Sequence, residues 1–226
     1  MARSLTEIAN SYQLDKGTLP QKKLDWHKKY PDHKTMGYTP IYEQYIDTNT
    51  LKLLEIGICD KRFPGKSLEM WKEYLPYAQI YGIDNFWGND FDITTLQSDR
   101  VTVYKADQSD RKQLAEFFKI YGSNFDYIIE DGAHWPSNIM ISLASCLQHV
   151  KSGGYYFIED LQSRFNLNTD AFDNLQITSL FQEFISTGYL HRLYITREEH
   201  QYLLNNIKAI KMHHCNHHNL LVIQKI

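Results

Sequence analysis

The pattern of hydrophobic and polar positions changes near residue 50. Residues 1–48 carry no long apolar run and read as a helix or two, with loops near Gly17–Pro20 and Pro31–Pro40. From Leu51 onward, short apolar runs alternate with segments of helical spacing. LKLLEIG (51–57), QIYGID (79–84), VTVYKAD (101–107), FDYIIED (125–131) and KSGGYYFIED (151–160) read as five strands. Between them, SLEMWKEYLP (67–76), KQLAEFFKIYG (112–122) and residues 137–149 place apolar side chains on one helical face, and a further amphipathic helix is expected over about 171–187. IKAIKMHH and NLLVIQKI flank a short turn and predict a closing β-hairpin.

Strands alternating with helices imply βαβ units. The expected fold is therefore α/β: a Rossmann-like, seven-stranded, mostly parallel sheet with helices on both faces and a C-terminal antiparallel hairpin. Residues 1–48 are too few for an independent core. They form a helical appendage to a main domain over 49–226.

Composition narrows the class. The 226 residues are 42% hydrophobic and 23% charged, as in ordinary globular proteins. No run approaches the ~20 apolar residues of a membrane span, and MARSLTEIANSYQLDKG lacks the apolar core of a secretory signal. Cys59, Cys146 and Cys215 form neither a disulfide framework nor a zinc spacing. A reducing, cytoplasmic setting is expected. With a net charge of −3 and no Lys/Arg stripe, neither nucleic acid nor membrane is an expected partner.

The chemistry gathers at the strand ends. In open α/β sheets, ligands bind outside the carboxyl ends of the strands. Those ends read Gly57, Asp84, Asp107, Asp131 and the pair Glu159-Asp160, four of the five being acidic. Gly57 would let a ligand approach the backbone, or simply turn the strand into its loop. The dinucleotide fingerprint G-x-G-x-x-G is absent, which removes nicotinamide and flavin readings. Asp84 stands where a carboxylate accepts hydrogen bonds from a ribose diol, and Asp107 with Gln108 would lie beside an adenine.

IIEDGAH (128–134) and YFIEDLQ (155–162) carry more information. If the fourth and fifth strands are neighbours, about 4.8 Å apart, Asp131, Glu159 and Asp160 converge. Three close carboxylates repel unless a cation sits among them, and oxygen ligands suit Mg²⁺, Ca²⁺ or Mn²⁺. His134 follows Asp131 by three residues and suits removal of a proton. The competing expectation is that Asp131 or His134 merely caps the helix beginning near Pro136. HHCNHH (213–218) looks like a metal cluster but falls on a two-strand turn, where alternate residues diverge. Solvated hairpin histidines are expected there.

LLEIGICDKRFPGKSLEMWKEYLPYAQIYGID, KADQSD, IIEDGAH and YYFIEDLQ together resemble class I S-adenosylmethionine-dependent methyltransferases. More narrowly they resemble the metal-dependent O-methyltransferases of macrolide sugars, the mycinamicin VI and demethylmacrocin O-methyltransferase type. YQLDKGT, MGYTPIYEQY and HHNLLVIQK extend the likeness over nearly the whole chain. The resemblance implies S-adenosylmethionine and Mg²⁺ as cofactors. Glu55 and Gly57 would line the methionine and ribose part, Asp84 the ribose hydroxyls, Asp107 and Gln108 the adenine side. Asp131 would face the cofactor as well as the ion. Tyr38 and Thr39 would close over it from the appendage.

Asp131, Glu159 and Asp160 would hold Mg²⁺, and His134 would be the general base. Two departures stand out: Cys59-Asp60-Lys61-Arg62 replaces a glycine-rich stretch, and no counterpart of that type's separate N-terminal domain is expected. The implied acceptor is a small hydroxylated natural product, a sugar moiety first. A polyketide or diol hydroxyl, or a non-catalytic adenosine-binding protein, are the alternatives. Trp135, Arg164 and Phe165 are candidate acceptor contacts, and a homo-oligomer is the family expectation.

Overall fold

A computed structural model describes residues 2–19, 36–58, 64–86, 92–161, 177–216 and 218–226. One sheet organises them. Its strands are β1 (Lys52–Ile56), β2 (Gln79–Asp84), β3 (Val101–Lys105), β4 (Phe125–Glu130), β5 (Val150–Ile158), β6 (Ile207–His214) and β7 (Asn219–Lys225), in the order β3-β2-β1-β4-β5-β7-β6. β1 to β5 run parallel, while β7 is antiparallel to β5 and to β6. The chain winds outward from β1 to β3, then crosses back to place β4 on the other side of β1. That reversal makes the carboxyl ends of β1 and β4 a switch point, where such sheets bind ligands.

The two-residue period of the strands divides the core into two layers. Leu54, Ile56, Ile128, Tyr156, Ile158, Leu221 and Ile223 face one side, against Phe117, Leu143, Phe181 and Leu203 of α4 (Arg111–Tyr121), α5 (Pro136–Cys146), α6 (Ile177–Thr187) and α7 (Arg197–Asn206). Leu53, Ile129, Phe157, Leu220 and Val222 face the other side. There they meet Leu5, Ile8, Tyr42 and Trp71 of α1 (Leu5–Tyr12), α2 (Thr39–Tyr42) and α3 (Lys66–Tyr74). The N-terminal segment thus shares its core with β1 and α3. Each fully buried large side chain, such as Phe117 or Trp71, contributes roughly 1.5–3 kcal/mol.

β4 is buried at every position, so it reads as a continuous apolar run interrupted only by two acids. Asp126 Oδ2 accepts there from the backbone N–H groups of Leu51 (2.9 Å) and Lys52 (2.8 Å), while Lys151 pairs with Oδ1. One carboxylate thereby ties the start of β1 to β4 and β5.

The sequence reading missed α7. Its signal was present: Thr196 and Glu199 form a reciprocal capping box. Glu199 also receives both arms of Arg111, at 2.6 and 2.9 Å, which pins α7 to α4. α6 begins at Ile177; positions 171–176 of the expected helix, with Arg164 and Phe165, lie outside the described residues. So do Cys59 and the rest of the stretch to Arg62. No helix among the described residues is long and apolar enough to cross a membrane.

Candidate active site

The site forms where β1, β4 and β5 end together. Gly57 closes β1 with φ +87°, a left-handed conformation that L side chains avoid. A Cβ there would stand 2.1 Å from the backbone oxygen of Asp131. The glycine is therefore required by the crossing of two protein loops, and the strand-turn reading accounts for it without a ligand. Gly57→Ala is expected to cost about 3 kcal/mol or more, a fall in Tm of roughly 6–12 °C for a chain this size. Scanning calorimetry reads it directly; an unchanged Tm would mean that the crossing is looser than described.

β4 ends Glu130-Asp131 and β5 ends Ile158-Glu159-Asp160, and the two strands pair with Glu130 opposite Ile158. Asp131, Glu159 and Asp160 consequently lie along one edge, but their side chains part. Asp160 takes positive φ (+55°), as does His134 (+58°). Non-glycine residues held in this conformation concentrate at functional sites. Donor atoms of Asp131, His134 and Asp160 all lie within 4.8 Å of one another. His134 Nε2 is 3.6 Å from Asp160 Oδ2 and 3.9 Å from Asp131 Oδ1. Two carboxylates and an imidazole form a donor set that suits a hard or borderline divalent ion, and the buried His134 Nδ1 has no hydrogen-bond partner among the described residues.

Neither Asp131 nor His134 caps α5: the N-cap is Trp135, without a side-chain cap bond.

Glu159 is engaged elsewhere. Both its oxygens accept from Lys16 Nζ, at 2.8 and 2.7 Å, and Oε1 also accepts from the Tyr42 hydroxyl at 2.5 Å. Lys16 also pairs with Asp131 Oδ2 and, at 3.4 Å, with Glu55 Oε1. This lysine is only 3% exposed. Burial works against its charge, yet Asp131, Glu159 and Glu55 hold its pKa well above the ordinary lysine value. Burial likewise raises Glu55 and Glu159, and pushes Asp131 up to about 7. One ammonium cannot neutralise the buried Glu55 and Glu159 together with the part-buried Asp131, so the cluster favours either a retained proton or a second cation.

The remaining predicted residues fall into two groups. Tyr38 and Thr39 sit at the start of α2, and Tyr38 Oη donates to Asp160 Oδ1 at 2.5 Å while accepting from the Asp160 backbone N–H. Asp84 Oδ2 accepts from Ile58 N and Oδ1 from Phe86 N, bracing the loop after β1. Asp107 accepts from the backbone and hydroxyl of Ser109. Gln108 spends its amide on Glu130 Oε1 (2.7 Å) and Ala133 N (2.7 Å), so it holds the 131–134 loop. Glu55, fully buried, accepts from Trp71 Nε1.

Lys16, Tyr42 and Glu130 were missed, and His218 was expected to be a solvated hairpin residue. Lys16 stood in the quoted YQLDKGT, but its partners are 115 and 143 residues away and no spacing rule links them. The hairpin histidines are less solvated than expected. His218 Nδ1 lies 3.5 Å from Asp160 Oδ1, and His213 Nε2 is 2.8 Å from the Tyr45 hydroxyl. His214 bonds Asn219 instead, so the cluster does diverge; His217 lies outside the described residues.

No protein-family model matches the chain. It is similar to the mycinamicin VI 2''-O-methyltransferase of Micromonospora griseorubida, 33% identical over 134 residues, or 57% of this chain and 32% of that one. The demethylmacrocin O-methyltransferase of Streptomyces fradiae is 34% identical over the same shares. The chain thus spans about a third of the length of the curated relatives it matches. A solved structure of the MycE methyltransferase from the mycinamycin biosynthetic pathway, in complex with Mg and SAH, superposes with a TM-score of 0.71 at 24% identity, over 99% of this chain and 55% of that one. The expected Rossmann-like methyltransferase fold is therefore the fold of this chain, and the expected resemblance to macrolide O-methyltransferases holds.

Proposed function

We propose that the chain is an S-adenosylmethionine-dependent O-methyltransferase acting on a hydroxyl of a small polyhydroxylated acceptor, a sugar moiety first. Asp131 and Asp160 would hold a hard divalent ion, Mg²⁺ above all, with Glu159 available once Lys16 yields its oxygens. The observation that carries this reading is the convergence of Asp131, His134 and Asp160 at the switch-point edge of the sheet. The likeness to enzymes named for macrolide O-methylation, and in fold to a methyltransferase solved in complex with Mg and SAH, supports it.

The cofactor would lie over the ends of β1 to β3. Its methionine end would face Glu55 and Gly57, its ribose Asp84, and its adenine Asp107 and Gln108. Tyr38 and Thr39 would close the cofactor side from the N-terminal appendage, and Asp131 would border cofactor and ion together. A divalent ion bound at the carboxylates would polarise the acceptor hydroxyl and ease loss of its proton. His134 takes that proton on Nε2, and the carboxylates beside it offset the charge the imidazole gains. S-adenosylmethionine, when bound, would supply the methyl group: the acceptor oxygen would bond to the methyl carbon as the carbon–sulfur bond breaks, the electron pair of that bond staying with sulfur. A positioned general base contributes typically 10²–10⁴-fold, and alignment of oxygen, carbon and sulfur a comparable share.

Calorimetric titration of S-adenosylmethionine, followed by Mg²⁺, tests the reading. Cofactor binding is expected, with an ion signal that disappears in Asp160→Ala. Acceptor assays would then compare sugar hydroxyls with polyketide and catechol-like diols, scored by mass for one added methyl. Absence of cofactor binding would overturn the proposal.

A further inference from the structure

Lys16 is held in place by more than its charge. Gln13 ends α1 in a left-handed conformation, and Leu14 N bonds back to Ala9 O. Asn10 Oδ1 then accepts from the backbone N–H groups of Thr18 and Leu19. It also fills the space beside Gly17, where a Cβ would stand 2.4 Å from it. From the other side, Met36 N, Gly37 N and Thr39 N donate to the carbonyls of Asp15, Gly17 and Lys16. A loop tied at both flanks, with its lysine aimed inward and 3% exposed, delivers one positive charge to a fixed point. That point is the meeting place of Glu55, Asp131 and Glu159.

This charge occupies oxygens that the ion of the proposed function would use. Asp131 lies between the two demands: Oδ2 pairs with Lys16, while Oδ1 faces His134 and the Asp160 side. Glu159 is wholly on the Lys16 side. We propose that Lys16 is a positioning residue and the resident counter-cation of the site, holding Asp131 and Glu159 in place and competing with a divalent ion for their oxygens. A like charge beside a bound cation opposes it, the more so where water is excluded. Lys16 therefore lowers the affinity of the empty site for ions, and ion binding loosens the tie between residues 14–19 and the sheet edge. The inference rests on the ion site proposed above.

The test is Mn²⁺ binding to the full chain without S-adenosylmethionine, read by the loss of the free-ion paramagnetic resonance signal. Lys16→Met, close in size and uncharged, is expected to bind at least tenfold more tightly than the wild type, while Lys16→Arg stays at or below wild-type affinity. A Lys16→Met protein with intact circular dichroism and wild-type or weaker affinity would overturn the proposal. Hydrogen exchange on the wild-type chain gives a second reading that needs no variant. Mn²⁺ should speed exchange in residues 14–19, and slowed or unchanged exchange in the ion-bound protein counts against competition. Wild-type binding that Asp160→Ala abolishes but Lys16→Met leaves unaltered would sink the Lys16 role alone. No binding by any form would sink the ion site with it.

Discussion

Asp131→Ala is expected to lose divalent-ion binding and methyl transfer together while leaving the fold intact. Of the site's carboxylates, Asp131 alone touches both neighbourhoods, with Lys16 on one oxygen and His134 near the other. Truncating one partner of a desolvated charge pair in a binding site costs about 2–5 kcal/mol of binding, which corresponds to roughly 30- to 4,000-fold in an ion's dissociation constant. The fold should survive because Lys16 keeps Glu159 at 2.7 Å and Glu55 at 3.4 Å, so no buried charge is stranded. The substitution also removes a carboxyl that burial pushes up to about 7, which relieves repulsion around Glu55 and Asp160. A small fall, or even a rise, in Tm is thus compatible with complete loss of turnover. Ion affinity, rate and Tm measured on one preparation check this. Wild-type ion affinity in Asp131→Ala would place the ion elsewhere and remove the mechanism built on it.

How far the site could be read beforehand follows from the reach of each signal. Strand ends are local: apolar runs stopping at Gly57, Asp84, Asp107, Asp131 and Glu159 were visible because period and punctuation lie within a few residues. The pairing of β4 with β5 followed from the alternation of strands and helices, and the closing hairpin from two apolar runs about a short turn, but that β7 rather than the edge strand β6 returns against β5 did not. Direction was not legible. Consecutive residues of a strand point oppositely, but Asp160 lies beyond β5 in a left-handed conformation, which aims it at His134 and His218 while Glu159 turns to Lys16. Aspartate is enriched in that conformation, but the residue type alone does not say which aspartate adopts it.

Gly57 illustrates a correct position with an incomplete reason, since the contact that excludes a side chain is the carbonyl of Asp131, 74 positions along the chain. Gln108 and Asp84 show the same limit. Both stand at the predicted strand ends, yet their hydrogen bonds brace the loops after β4 and β1. Lys16 was the largest omission, because a single lysine in a polar segment carries no periodicity, and its role exists only through contacts of long sequence separation.

His134→Ala separates two uses of one nitrogen. Nε2 is the atom that faces Asp131 and Asp160, while Nδ1 is buried without a hydrogen-bond partner among the described residues. An imidazole that commits Nε2 to an ion cannot also collect a proton there, and Nδ1 is not exposed to take over. If Nε2 serves as the base, His134→Ala is expected to lower kcat by about 10²–10⁴-fold, with the affinities for S-adenosylmethionine and Mn²⁺ within about twofold of wild type. Loss confined to kcat is the mark of an interaction made in the transition state. Used as a ligand, Nε2 would give a different result: Mn²⁺ affinity would fall with the rate, and excess ion would restore much of the turnover.

The left-handed conformation of His134 sharpens the comparison. His134→Asn retains a residue type that tolerates positive φ, so any loss it shows is chemical and not conformational. Turnover at the wild-type rate in both variants would assign the proton to another acceptor, and His218, 3.5 Å from the same Asp160, would be the next residue to replace.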